Sequence, residues 1–273
     1  MFDKIALAGG ALALAVGGYA ADIFGSDSAE AAEGRIYHYV RSNRDGTDPE
    51  NVYVYRAAGN RLEVYKSRER CTSAAYVSAW VDSHTGRATM IQGGRLMPNA
   101  RHENFATLSF DGESNRLAVD AALPDRAVHQ QVRIAEPVYH LYDFDLASLS
   151  VQTMGLDDPR AGFSFGLPLV LTQADEDGRH LNHLGTAEAT FVRAEDYHGT
   201  AALRFEVGGS ALGANGGPLW LDADTHHVLG AEWGIPNHAG MQDFAIRLAD
   251  VQDSGESGWT RLLTQHFEGC GTT

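Results

Sequence analysis

The 273-residue chain carries 36 acidic against 21 basic residues, a formal charge of −15, and 44 % of it is hydrophobic. That length supports one large core or two small ones. The acidity is spread along the chain with no long run of like charge, and such a surface repels phosphate backbones, which argues against a nucleic-acid binder.

The chain opens with "MFDKIALAGGALALAVGGYAADIF", in which Lys4 precedes an uncharged run of apolar and small residues from Ile5 to Ala21. A secretory signal has this layout, so residues 1–21 read as a signal peptide, with cleavage after Ala20 or after the later "AEAA" ending at Ala32. The destination is the periplasm or the exterior. The run also approaches membrane-spanning length, so the alternative is an inner-membrane anchor. In that case the segment would be the chain's only membrane contact.

Strand signals follow from Gly34 onward. "RIYHYV", "NVYVYRA" and "NRLEVYKS" are separated by turn-rich "RSNRDGTDPE" and by "AGN". Further along, "ALRFEV", "HVLGAEWGI" and "FAIRL" alternate apolar and polar residues, the period-two pattern of half-buried antiparallel strands. "DSHTGR", "DGESN", "DYHG", "DADT" and "DSGESG" supply the turns between them. The fold class is therefore mainly β: an antiparallel meander forming a large curved sheet, an open barrel or a sandwich. One domain spans 34–270, with a subdivision conceivable near residue 155. One short helix is predicted at 144–152, with Asp143 or Asp145 as its N-cap and Leu146 and Leu149 on its apolar side.

"LWLDADTHHVLGAEW", Leu219 to Trp233, reads as strand, D-x-x-T turn and strand. It resembles the W-[IL]-D-x-x-T hairpin of the periplasmic lipoprotein carriers. The whole chain also resembles uncharacterised exported bacterial β-rich families of unknown function. The resemblance implies a curved open sheet or half-barrel around an apolar cleft, and it transfers no functional residue.

Several groups could carry chemistry. Cys71 and Cys270 are an even pair in an exported chain, which favours a disulfide tying the chain's end beside an early strand. "EDGRHLNHLG" offers His180 and His183 with Asp177 upstream, a set that a loop would have to fold together to hold a divalent metal, the one cofactor with any support in the sequence. "GFSFG" around Ser164 matches G-x-S-x-G in letters, but the strand–turn–helix context of a nucleophile elbow is missing. In "HLYDFDLASLS" neither a strand nor a helix gathers His140, Asp143 and Asp145 together, and His140–Asp143 is the one pair worth testing. Tyr37, Tyr53, Trp220 and Trp233 are candidates to line an amphiphile site, with cross-strand packing as the plainer account. The leading function is non-enzymatic binding of a hydrophobic or amphiphilic small molecule or an envelope protein. A secreted metal-assisted hydrolase and a structural interaction module are the alternatives.

Overall fold

The computed structural model describes residues 32–271, so the segment read as a signal or anchor, 1–21, lies outside the described residues. Fourteen strands form one antiparallel sheet. They are β1 (Arg35–Ser42), β2 (Glu50–Ala57), β3 (Arg61–Ser67), β4 (Ala75–Val81), β5 (Ala88–Met97), β6 (Arg101–Asp111), β7 (Arg116–Leu123) and β8 (Arg126–Arg133), then β9 (Phe163–Val170), β10 (Leu181–Tyr197), β11 (Thr200–Gly208), β12 (Gly217–Asp222), β13 (Val228–Trp233) and β14 (Phe244–Asp253). In space the order is β8-β7-β6-β5-β4-β3-β2-β1-β14-β13-β12-β11-β10-β9. Two meanders thus grow outward from a shared seam, where β1 pairs with β14 and Tyr37 stands opposite Val251.

Alternation along each strand sets what faces inward. Tyr37 and Tyr39, Val52 and Val54, and Leu62 and Val64 enter one large interior core. Their neighbours Ile36, Tyr55 and Tyr65 face the other way, into a second cluster on the outer surface. Asp side chains shape two of the hairpins. Asp222 Oδ1 accepts the N–H groups of Asp224 and Thr225 at 3.0 and 2.8 Å. Asp82 Oδ1 does the same for His84 and Thr85 at 3.1 and 2.9 Å.

The strand order leaves β8 and β9 as the two edges. The sheet curls until β8 stands beside the start of β10, but no ladder joins them and the barrel stays open. The Gln130 side chain bridges the gap. Its Oε1 accepts from the N–H of His180 at 2.7 Å and of Leu181 at 3.1 Å, and its Nε2 donates to the Gly178 carbonyl at 3.1 Å. A single curled sheet excludes the sandwich.

Because β8 and β9 sit at opposite ends of the order, the chain between them crosses the concave interior. This internal segment, residues 134–162, buries Tyr142, Phe144, Leu146 and Leu149 in the main core. Each such side chain contributes about 1.5–3 kcal/mol of transfer free energy. Tyr139 and Tyr142 anchor the segment by donating to the carbonyls of Ala88 and Ile235 at 2.5 and 2.7 Å. The region near residue 155 belongs to this segment, and the core around it contains residues from both halves of the chain.

The predicted helix is corrected in its start and its cap. Tyr142–Phe144 forms a 3-10 turn, and helix α1 spans Leu149–Met154. Asp145 and Leu146 lie between them with φ of 52° and 58°. Two successive left-handed residues break the helix register there, and neither carboxylate caps α1. A second helix, α2 (Gly255–Gln265), occupies sequence read as a turn and lies over the outer cluster through Trp259 and Leu263. Just beyond it Cys270 is bonded to Cys71, with Cα atoms 5.6 Å apart. No helix among the described residues is long and apolar enough to cross a membrane.

Candidate functional site

A cavity of about 360 Å³ lies between the inner face of the sheet from β1 to β8, the internal segment, the turn from β9 to β10 and the connection from β13 to β14. It exists because inward positions there are small: Ala75, Gly93, Ala106 and Ala121 stand where larger side chains fill the rest of the interior. A β-bulge shapes its mouth. Gly93 pairs with Ala106 but Gly94 pairs with Asn104, so Phe105 is the extra residue, and it lines the opening. Gly94 permits the close approach, since a Cβ there would stand 2.1 Å from the Glu103 carbonyl oxygen. Val77, Ile91, Leu108 and Val119 form the apolar wall.

The opposite end is charged, and parity explains how the charges reach it. Arg41, Glu50 and Lys66 occupy inward positions of β1, β2 and β3, continuing the apolar faces of Tyr37–Tyr39, Val52–Val54 and Leu62–Val64. Lys66 Nζ lies 2.5 Å from Asp145 Oδ2 and donates to the Asp143 carbonyl at 2.6 Å and to His238 Nε2 at 3.3 Å. Arg41 Nη2 contacts Glu50 Oε2 at 2.5 Å, and its Nε lies 3.8 Å from Asp145 Oδ1. Asn237 Nδ2 donates to Asp145 Oδ1 at 2.6 Å.

This arrangement drives two carboxyls apart. Burial works to raise the Asp145 pKa, but Lys66, His238 and Arg41 hold it down to about 2. Burial pushes Asp143 up to about 6, only partly offset by the Lys66 charge and by the Val170 N–H that donates to its Oδ1 at 3.0 Å. His238 is pressed down to about 3 by burial, with Lys66 and Arg41 adding to it against Asp145. The cavity therefore offers an apolar chamber with one polar end.

The residues singled out from sequence are placed as follows. His180, His183 and Asp177 are not brought together as a metal triad. His180 donates from Nδ1 to the Leu171 carbonyl at 2.9 Å, His183 Nε2 meets Glu136 Oε2 at 3.0 Å, and exposed Asp177 pairs with Arg179. Among the described residues no group of three or more His, Cys, Asp or Glu is arranged to hold a metal ion. His180 precedes β10 while His183 lies on it, and each finds its own acceptor. Of the three, His180 borders the cavity.

The aromatic candidates are corrected too, for none of the four lines the large cavity. Tyr37 and Trp233 are packed in the interior core, Trp233 against Tyr142 and Phe244. Tyr53 and Trp220 belong to outer clusters, stacked on His38 and Tyr197. The internal segment fills the space that the inward pair would have faced.

His140 and Asp143 do not form a pair. The imidazole is fully buried between Ser148 Oγ at 2.8 Å and Gln152 Oε1 at 2.9 Å, and burial lowers its pKa to about 4. Ser164 is exposed on β9 opposite Glu188, on a strand rather than an elbow. Lys66, Arg41 and Glu50 were missed, although a charge ending an apolar face on each of three successive strands was a readable signal. No protein-family model matches the chain, and no curated protein matches it significantly.

Proposed function

We propose that this is an exported β-protein that binds a hydrophobic or amphiphilic small molecule without transforming it. The observation that carries the reading is the cavity, whose volume falls in the ~300–1,000 Å³ range of small-molecule sites and whose apolar wall ends in a few convergent polar groups. Arg41 with Glu50 and Lys66 with Asp145 hold one another in ion pairs at the polar end and present no nucleophile oriented by a base, so recognition suits them better than catalysis. Export is supported by the Cys71–Cys270 bond, since disulfides persist in oxidising compartments, and by the signal-like layout of residues 1–21.

Native mass spectrometry of protein purified from its host, under conditions that retain lipids, tests the reading. The expected result is a one-to-one adduct that organic solvent extracts. Protein that stays free of adduct, both as purified and after incubation with host lipid extract, would count against it.

A further inference from the structure

The polar end of the cavity is not balanced. Among the described residues each cation on its wall already has an anionic partner: Arg41 pairs with Glu50, Lys66 with Asp145, and Arg68 with Asp48. Asp143 has none. Its Oδ1 accepts the Val170 N–H, and its carboxylate forms no ion pair with any described Lys, Arg or His. Lys66, the nearest cation, spends its donors on Asp145, on the Asp143 carbonyl and on His238. A carboxyl left in that state on the wall of an apolar chamber either takes up a proton or gains a counter-ion from an occupant.

Resting on the ligand-binding reading above, we propose that the occupant is a cationic amphiphile, an ammonium group on an apolar body, with the ammonium seated against Asp143 and the body against the β4–β7 wall. The net charge of −15 works in the same direction, since it concentrates cations around the molecule. A carboxylate or phosphate head would add a further negative charge to an end that already holds Glu50, Asp145 and Asp143.

Lys66 on β3 and Asp145 on the internal segment act on Asp143 directly, and Arg41 on β1, Glu50 on β2, Arg68 after β3, His180 before β10 and His238 between β13 and β14 are the other titratable groups that line the cavity. Asp143 is the one among them pushed to about 6, so the ammonium site switches off when its carboxyl takes a proton.

Calorimetric titration of the mature protein with octylamine, octanol and octanoate separates the alternatives. At about pH 7.5 octylammonium is expected to bind about ten- to a hundredfold more tightly than octanol, with octanoate the weakest, as a charged hydrogen bond implies. Asp143→Asn keeps an oxygen for the Val170 N–H and should lose the preference for the amine over octanol. Should that variant fail to fold, the wild type at about pH 5 serves instead, where amine binding falls about tenfold relative to pH 7.5 and octanol binding holds. Equal affinity for amine and alcohol, or a preference for octanoate, would overturn the ammonium proposal and leave the cavity reading standing. No binding of any of the three would overturn both.

Discussion

Asp143 and Asp145 stand two residues apart and ionise in opposite directions, one pushed up to about 6 and the other held at about 2. The separation follows from the left-handed turn at Asp145, which delivers that carboxylate to Lys66 and leaves Asp143 at the cavity wall. Linkage gives each group a sign. Asp143 has a folded pKa above its ordinary value, so its ionised form costs stability at neutral pH, and acidification from about 6 toward 3.8 recovers it. His140 has a folded pKa near 4, below 6.5, so its contribution is full above 6.5 and is lost as pH falls toward 4. Between those limits the two oppose each other. Asp143→Asn should therefore raise stability at neutral pH and steepen the loss on acidification by about 1.4 kcal/mol per pH unit in urea titrations; parallel profiles for the two proteins would contradict this. Lys66→Met leaves the Asp145 charge buried without its closest partner, and a loss of about 3–5 kcal/mol is expected in the same titrations. Inward parity made Arg41, Glu50 and Lys66 legible as residues on the apolar side of their strands. Nothing in the spacing of Asp143 and Asp145 revealed the turn, because it depends on tertiary pairing with β3.

At the scale of elements, the strands were legible, α1 was legible apart from its start and cap, and α2 was not. Period-two alternation announced β11, β13 and β14, and turn clusters announced the hairpins, because both are local properties. Helix α2 was hidden by Ser254, Gly255, Ser257 and Gly258, which suit a turn as well as a helix start. Its signal lay in Trp259, Leu263 and Phe267, spaced by four on one face. What fixes α2 is Glu63 on the outer face of β3, whose carboxylate accepts from Tyr76 Oη at 2.6 Å and from Trp259 Nε1 at 2.5 Å and pairs with Arg61 at 2.8 Å. His266 adds a link between Tyr65 Oη at 2.6 Å and the Thr72 carbonyl at 2.8 Å. Trp259→Ala removes the largest buried side chain of α2 together with one of the Glu63 donors. It should cost about 3–5 kcal/mol, read as a lowered urea midpoint with hydrogen exchange accelerated first in 255–265. An exchange pattern unchanged in α2 would contradict this. That bond closes a separation of 199 residues, for which chain entropy gives about 5 kcal/mol as an upper expectation.

At the scale of the molecule, a fourteen-stranded meander has to deal with two edges, and this one brings the edge strand β8 beside the start of β10 without pairing them. The Gln130 side chain spans the gap where a ladder would have closed a barrel, and the edge-to-edge connection is folded inside as a plug. An antiparallel curled sheet followed from the short spacing of the strands. The plug did not, since its position depends on β8 and β9 ending at opposite edges. The cavity is the part of the interior that the plug and the small side chains on β4–β7 leave unfilled. Ala106 lines that space, so Ala106→Trp adds its volume where there is room and should leave the melting temperature close to wild type. The most direct test is octanol titrated into wild type and Ala106→Trp, because a neutral probe reports on the chamber whatever head group its ligand carries. Ligand binding in the cavity requires one-to-one binding by the wild type and a loss of at least about tenfold in the variant. Equal affinity for the two proteins, or no binding by a folded wild type, would contradict it.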